Sequence, residues 1–181
     1  MSMTLTITAA QEGTDLDAVK AMCMDFLQWN RARYAHFSWL IERYYDPASW
    51  DAYLAGLANL YKPPAGSILL ARLGGEPVGC VMMRRLDAST CEMKHLFVRE
   101  GARGRGVAVQ LCTALMTLAK HRGFAVMRLE TGSLNAEAMG VYRRLGFHPC
   151  DPGGEYPDDV LPLLRFMRAD LAARATPAAG C

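Results

Sequence analysis

Six consecutive residues, Arg103-Gly104-Arg105-Gly106-Val107-Ala108, place two glycines and two guanidinium groups at the mouth of a strongly amphipathic run. Glycine lets backbone N–H groups come close to a ligand, and a helix start presents unpaired donors with a partial positive charge. Such a loop suits an anion, a phosphate above all. The surroundings agree: from Arg84 to Arg128 nine basic residues stand against three acidic ones, so this segment carries +6 and the rest of the chain −4. Standing alone, the hexapeptide reads first as a glycine-rich connector with solvated arginines. A Walker loop would end in Gly-Lys-Ser/Thr, which is missing. A dinucleotide fingerprint would need a small residue where Val109 stands, and a sheet with several crossovers where one is visible, although Glu130 falls at a plausible distance for a ribose-binding acid.

The elements that must position this loop can be read from periodicity. Residues 4–9 alternate as a short strand, and Thr14 with Asp17 reads as the start of a helix running to about Trp29. A second helix is expected from Asp46-Pro47 to before Pro63-Pro64, with an aromatic-rich stretch ahead of it. Residues 67–73 and 77–84 form a hairpin about Gly74-Gly75, and 91–98 a third strand. Apolar residues from Val107 to Ala119 then recur at helical spacing, with Gly123 as terminator. A strand at 125–131, a helix at 135–145 closed by Gly146, and late strands from Phe147 and over 161–167 complete the order β-α-α-β-β-β-α-β-α-β-β. This is an α+β (mixed α/β) pattern: an antiparallel meander leading into one crossover.

Composition bounds the rest. A chain of 181 residues, 51% hydrophobic and 21% charged, is expected to form one globular domain over 1–170 with a flexible tail at 171–181. A net charge of +2 argues for neither a nucleic-acid nor a membrane partner. With no signal sequence or membrane-length apolar run, the expected location is the cytoplasm. The six scattered cysteines form no C-x-x-C pair and read as buried small hydrophobes, terminal Cys181 excepted. His36, His95, His121 and His148 lack ligand spacing and read as surface or satisfied core histidines, so no metal is expected.

Two stretches together resemble the GNAT superfamily of acyl-CoA N-acetyltransferases. They are Cys91-Glu-Met-Lys-His-Leu-Phe-Val-Arg-Glu-Gly-Ala-Arg-Gly-Arg-Gly-Val-Ala108 and Asn135-Ala-Glu-Ala-Met-Gly-Val-Tyr142-Arg-Arg-Leu-Gly-Phe147. The resemblance implies the GNAT-like fold, a central mixed sheet flanked by helices, and acetyl-CoA as cosubstrate. It implies that Arg103, Gly104, Arg105, Gly106, Val107 and Ala108 bind the pyrophosphate, that the strand end at Phe97 and Val98 pairs with the pantetheine arm as an added strand would, and that Asn135 contacts that arm. Asn135 reads equally as a helix N-cap.

The resemblance also implies attack by a primary amine on a thioester. An alkyl ammonium has a pKa of about 10, so a base is needed. Glu92, on a strand whose neighbours Met93, Leu96, Phe97 and Val98 are apolar, is the candidate, acting through water; pairing with Lys94 on the same face is its structural explanation. Tyr142 would be the general acid for the departing thiolate, or else packs on the sheet. A backbone N–H near Phe97 or Val98 would hold the oxyanion.

Nine of the sixteen aromatics fall within 29–61: Trp29, Tyr34, Phe37, Trp39, Tyr44, Tyr45, Trp50, Tyr53 and Tyr61. They read as helix packing or as the wall of an acceptor pocket, and Arg31, Arg33 and Arg43 would then suit an acceptor bearing a carboxylate or phosphate. The expected partner is a small-molecule or peptide amine, and a homodimer is compatible with the chain. A CoA-binding module without turnover is the alternative to an enzyme; retention of both Glu92 and Tyr142 favours the enzyme.

Overall fold

The computed structural model describes residues 3–171, so the tail expected at 171–181 lies, beyond Leu171, outside the described residues. The strands are β1 (Leu5–Ala9), β2 (Gly66–Leu73), β3 (Glu76–Arg85), β4 (Thr90–Val98), β5 (Val126–Gly132), β6 (His148–Pro149) and β7 (Leu164–Asp170). The helices are α1 (Gly13–Arg33), α2 (Ser38–Tyr44), α3 (Pro47–Ala55), α4 (Leu57–Leu60), α5 (Val107–His121) and α6 (Ala136–Arg144). One sheet holds all seven strands in the order β1-β2-β3-β4-β5-β7-β6. Its neighbours are antiparallel except β4 and β5, which the α5 crossover makes parallel.

Alternation along the strands builds a core on each face. Leu69, Ala71, Val81, Met83, Met127 and Leu129 pack against α5 and α6. Ile68, Leu70, Cys80 and Met82 pack against α1 to α4. Cys23, Cys80, Cys91 and Cys112 are buried as expected, whereas Cys150 is partly accessible.

The expected order stands with two additions. The aromatic stretch contains α2, and the expected second helix breaks at Gly56 into α3 and α4. Asp46 caps α3, its carboxylate accepting from the Ser49 N–H at 3.0 Å, with Pro47 in the first turn. Thr14 does not cap α1; the helix starts at Gly13 with Glu12 before it, and no side-chain cap bond forms. Helix α1 also continues past Trp29 to Arg33, which brings its end over the place where β4 and β5 part.

Candidate active site

The parallel ladder between β4 and β5 lasts only from Thr90↔Val126 to Met93↔Leu129. Beyond it Glu130 to Gly132 pair with β7, and the β5-facing edge of β4 from Lys94 to Val98 has no strand beside it. On the other side of β4 the register with β3 jumps from Met82↔Lys94 to Cys80↔Phe97, so His95 and Leu96 stand opposite Val81 alone. This is a β-bulge, and His95 adopts φ 50°, a left-handed conformation that histidine tolerates better than most residues. The extra residue reverses the facing of the remainder of β4. Cys91 and Met93 belong to the α5/α6 core, but Phe97 belongs to the opposite one.

The splay opens a cavity of about 870 Å³ that runs from the N-terminus of α5, past β4 and β5, to α2 and α3. At the α5 end, Gly104 and Gly106 adopt φ 74° and 75°, and a Cβ at either position would meet nothing within 4 Å. The amides of Val107, Ala108 and Val109 occupy the first turn of α5 and so have no acceptor within the helix. No side chain caps that end. An open cradle of orphan donors is what an anion requires. Of the two loop arginines, Arg103 lines the cavity, donates from Nε to the Val98 carbonyl at 3.0 Å and lies over the rings of Trp29 and Phe97; Arg105 is exposed outside it.

The basic segment is largely committed elsewhere. Arg84 pairs with Glu92, Arg99 with Asp25 at 3.0 Å, Arg122 donates to the Gly66 carbonyl and Arg128 to that of Asp151. The excess of positive charge in the sequence is therefore mostly structural.

Asn135 stands at the N-cap position of α6 but makes no cap bond, which corrects the N-cap reading. Its Nδ2 donates to Thr131 Oγ1 at 3.3 Å, while Oδ1 is buried in the cavity wall without a partner. An orphaned buried acceptor is costly unless a ligand donor meets it. Tyr142 is buried on the same helix with its ring against Phe147, and its hydroxyl bonds no group among the described residues. Burial pushes the Tyr142 phenol well above its ordinary value, so the hydroxyl keeps its proton at neutral pH.

Glu92 sits directly across from Arg84, accepting from its Nε at 2.7 Å, and 3.5 Å from Lys94 Nζ. Its wall is that of a smaller neighbouring pocket of about 200 Å³, shared with Glu130. Glu130 lines both spaces and accepts from the Tyr156 hydroxyl at 2.6 Å. Sequence reasoning singled out Glu130 only for a nucleotide site. Alternation makes it accessible, but its nearness to β4 depends on the β4–β5 register.

His95 is the second residue that sequence reasoning missed. It is not a satisfied core histidine: its ring lines the cavity between Phe26, Trp50 and Tyr53, with centroids 5.6, 5.8 and 5.3 Å away, and Nδ1 is sealed without a partner. Burial, with Lys94 and Arg84 nearby, lowers its pKa to about 3, so it is neutral. The aromatic cluster divides between the core and the cavity wall. Tyr34, Trp50 and Tyr61 are core residues, while Trp29, Tyr34, Tyr44, Tyr45, Trp50 and Tyr53 also face the cavity. Arg31, Arg33 and Arg43 are not in its wall. Arg33 instead forms a bidentate pair with Glu137 at 2.7 Å, and Arg43 pairs with Asp159.

A mixed sheet splayed at its one parallel pair, with a glycine-opened helix N-terminus beside the split, is the frame in which comparison with known proteins identifies an acyltransferase enzyme. The Acetyltransferase (GNAT) family model matches residues 24–147. An uncharacterised N-acetyltransferase of Schizosaccharomyces pombe is 31% identical over 67% of this chain and 74% of its own. An IAA acetyltransferase of Azospirillum brasilense is 33% identical over 66% of this chain and 76% of its own. Among solved structures, an acetyltransferase from Streptococcus agalactiae superposes with a TM-score of 0.70 at 18% identity, covering 92% of this chain and 98% of that one. The PaiA N-acetyltransferase of Thermoplasma acidophilum, solved with coenzyme A, gives 0.66 at 16% identity, covering 93% and 99%. The chain belongs to the GNAT family of acetyltransferases.

Proposed function

We propose that this enzyme transfers an acetyl group from acetyl-CoA to a primary amine by direct attack within a ternary complex. The observation that carries the reading is one cavity joining the open N-terminus of α5 to an unpartnered, protonated Tyr142 hydroxyl and the Glu130 carboxylate. The residues fit the cosubstrate. The amides of Val107 to Val109, with Gly104, Gly106 and Arg103, would hold its pyrophosphate; the open β4 edge at Phe97 and Val98 and the orphaned Asn135 Oδ1 would hold its amide-bearing arm. When bound, acetyl-CoA supplies a thioester whose carbonyl accepts the nucleophile.

Backbone N–H groups beside the bulge would stabilise the developing oxyanion, and Tyr142 would donate its proton to the leaving sulfur. Glu130, the cavity-wall carboxylate that no arginine holds, is assigned the amine's proton. The second reading keeps Glu92 as the base. It is carried by the resemblance at that strand position, and it requires water in the smaller pocket that Glu92 and Glu130 share. Thiol release together with mass detection of an acetylated amine tests the activity. Acetyl-CoA binding with no amide formed from any amine in a broad panel would leave a CoA-binding module in place of the enzyme.

A further inference from the structure

We infer that the acceptor is a primary amine carrying an uncharged aromatic or comparably bulky apolar body, and that His95 hydrogen-bonds its nitrogen. The inference rests on the N-acetyltransferase reading and names the substrate class of the same cavity.

The far end of the cavity is walled by ring faces rather than by polar groups. Three of those rings have their polar atoms engaged: Tyr53 shares a hydrogen bond with Tyr61 at 2.8 Å, Trp50 Nε1 points to Met24 Sδ at 3.4 Å, and the Tyr45 hydroxyl accepts from Asn30 at 3.4 Å; the Tyr44 hydroxyl is the phenol left over on this wall. What they turn to the cavity is apolar surface, which selects a body that gains by leaving water. The charged groups at this end are Glu130 and Lys94, and Lys94 pairs with Glu92. An acceptor carboxylate here would meet only the already paired Lys94, because the cavity's other cations, Arg103 and Arg144, sit on the loop before α5 and on α6. A polyamine's distal ammonium would find no second carboxylate, since the other acid on the cavity wall, Glu137, is held by Arg33. One ammonium beside Glu130, with a ring among rings, matches the inventory.

His95 supplies the polar contact. The bulge turns it into the cavity beside the stretch of β4 where the acyl group would lie, and its low pKa makes it a neutral hydrogen-bonding group rather than a proton acceptor. Nδ1 is sealed and neither ring nitrogen has a protein partner among the described residues, which leaves Nε2 for a ligand.

Calorimetric titration of phenethylamine, phenylalanine and spermidine into the protein saturated with CoA tests both parts. Phenethylamine should bind at least tenfold more tightly than the other two. His95→Phe, which keeps the ring and removes the nitrogens, should weaken phenethylamine tenfold or more with CoA affinity unchanged; His95→Asn, which tolerates the positive φ but is too short, should do the same if the Phe variant does not fold. Equal or tighter binding of phenylalanine or spermidine, or no binding of phenethylamine, overturns the substrate class. Undiminished binding by a folded variant overturns the role of His95. A parent protein that does not bind CoA overturns the acetyltransferase reading and this inference with it.

Discussion

Burial keeps both the Tyr142 hydroxyl protonated and His95 neutral, and two carboxylates stand near them, Glu130 on the cavity wall and Glu92 in the adjoining pocket. Removing only the phenol oxygen isolates one role. Tyr142→Phe should retain CoA affinity and lower kcat by the ~10²- to 10⁴-fold of a lost general acid; turnover within twofold of the parent at every pH would return Tyr142 to packing. The carboxylates separate by pH. If Glu130 accepts the ammonium's proton, Glu130→Gln should depress the rate most near neutral pH, and the deficit should shrink as pH approaches the amine's own pKa of about 10. Glu92→Gln should instead cost stability by leaving Arg84 and Lys94 without their partner, with an unchanged shape of pH–rate profile. A deficit confined to neutral pH in Glu92→Gln would move the base to Glu92. Glu92 was legible as a candidate because a carboxylate among apolar strand neighbours calls for an explanation. Its pairing with Arg84 was not, because that depends on the β3–β4 register.

Between elements, the end of α1 is tied to the turn between β5 and α6, and this tie closes one side of the cavity. The Tyr34 hydroxyl accepts from the Leu134 N–H at 3.0 Å, and its oxygen, with the ring edge behind it, fills the space a Cβ on Gly132 would take. Arg33 adds the pair with Glu137 and a bond to the Leu134 carbonyl. Gly132→Ala should therefore push Tyr34 aside, leave the Leu134 N–H without its partner and cost about 1 to 3 kcal/mol, or roughly 2 to 12 °C in Tm by scanning calorimetry. Adding Tyr34→Phe should recover part of the loss, because it removes the nearest atom; strict additivity of the two would show that they do not meet. None of this is readable from the Leu-Glu-Thr-Gly run alone. Local signals sufficed where the cause was local: Gly74-Gly75, Gly123 and Gly146 all take the positive φ their turns demand. They failed where packing decides. Helix α1 runs four residues past Trp29 because Asn30 and Tyr34 are buried among its neighbours, and α2 hides in an aromatic stretch with too few residues to show a period.

At the scale of the molecule, two cores hold the sheet from opposite faces while the split between β4 and β5 opens onto the cavity. Filling it should stabilise the whole fold, since a ligand that binds only the native state shifts unfolding by mass action. Acetyl-CoA at about 100 times its Kd should add roughly 2.7 kcal/mol, a rise of about 5 to 11 °C for a chain of this size. Gly106→Val separates that gain from the fold itself. A Cβ here meets nothing within 4 Å, so the main cost to the apo protein is the left-handed φ of 75°, about 1 to 2 kcal/mol, and the variant should still fold with Tm a few degrees lower. Its methyl groups would stand in the cradle where the first-turn amides of α5 are exposed, so the acetyl-CoA shift should disappear. Thermal scans of parent and variant, with and without acetyl-CoA, decide the matter: an undiminished shift in the folded variant would place the pyrophosphate away from this loop.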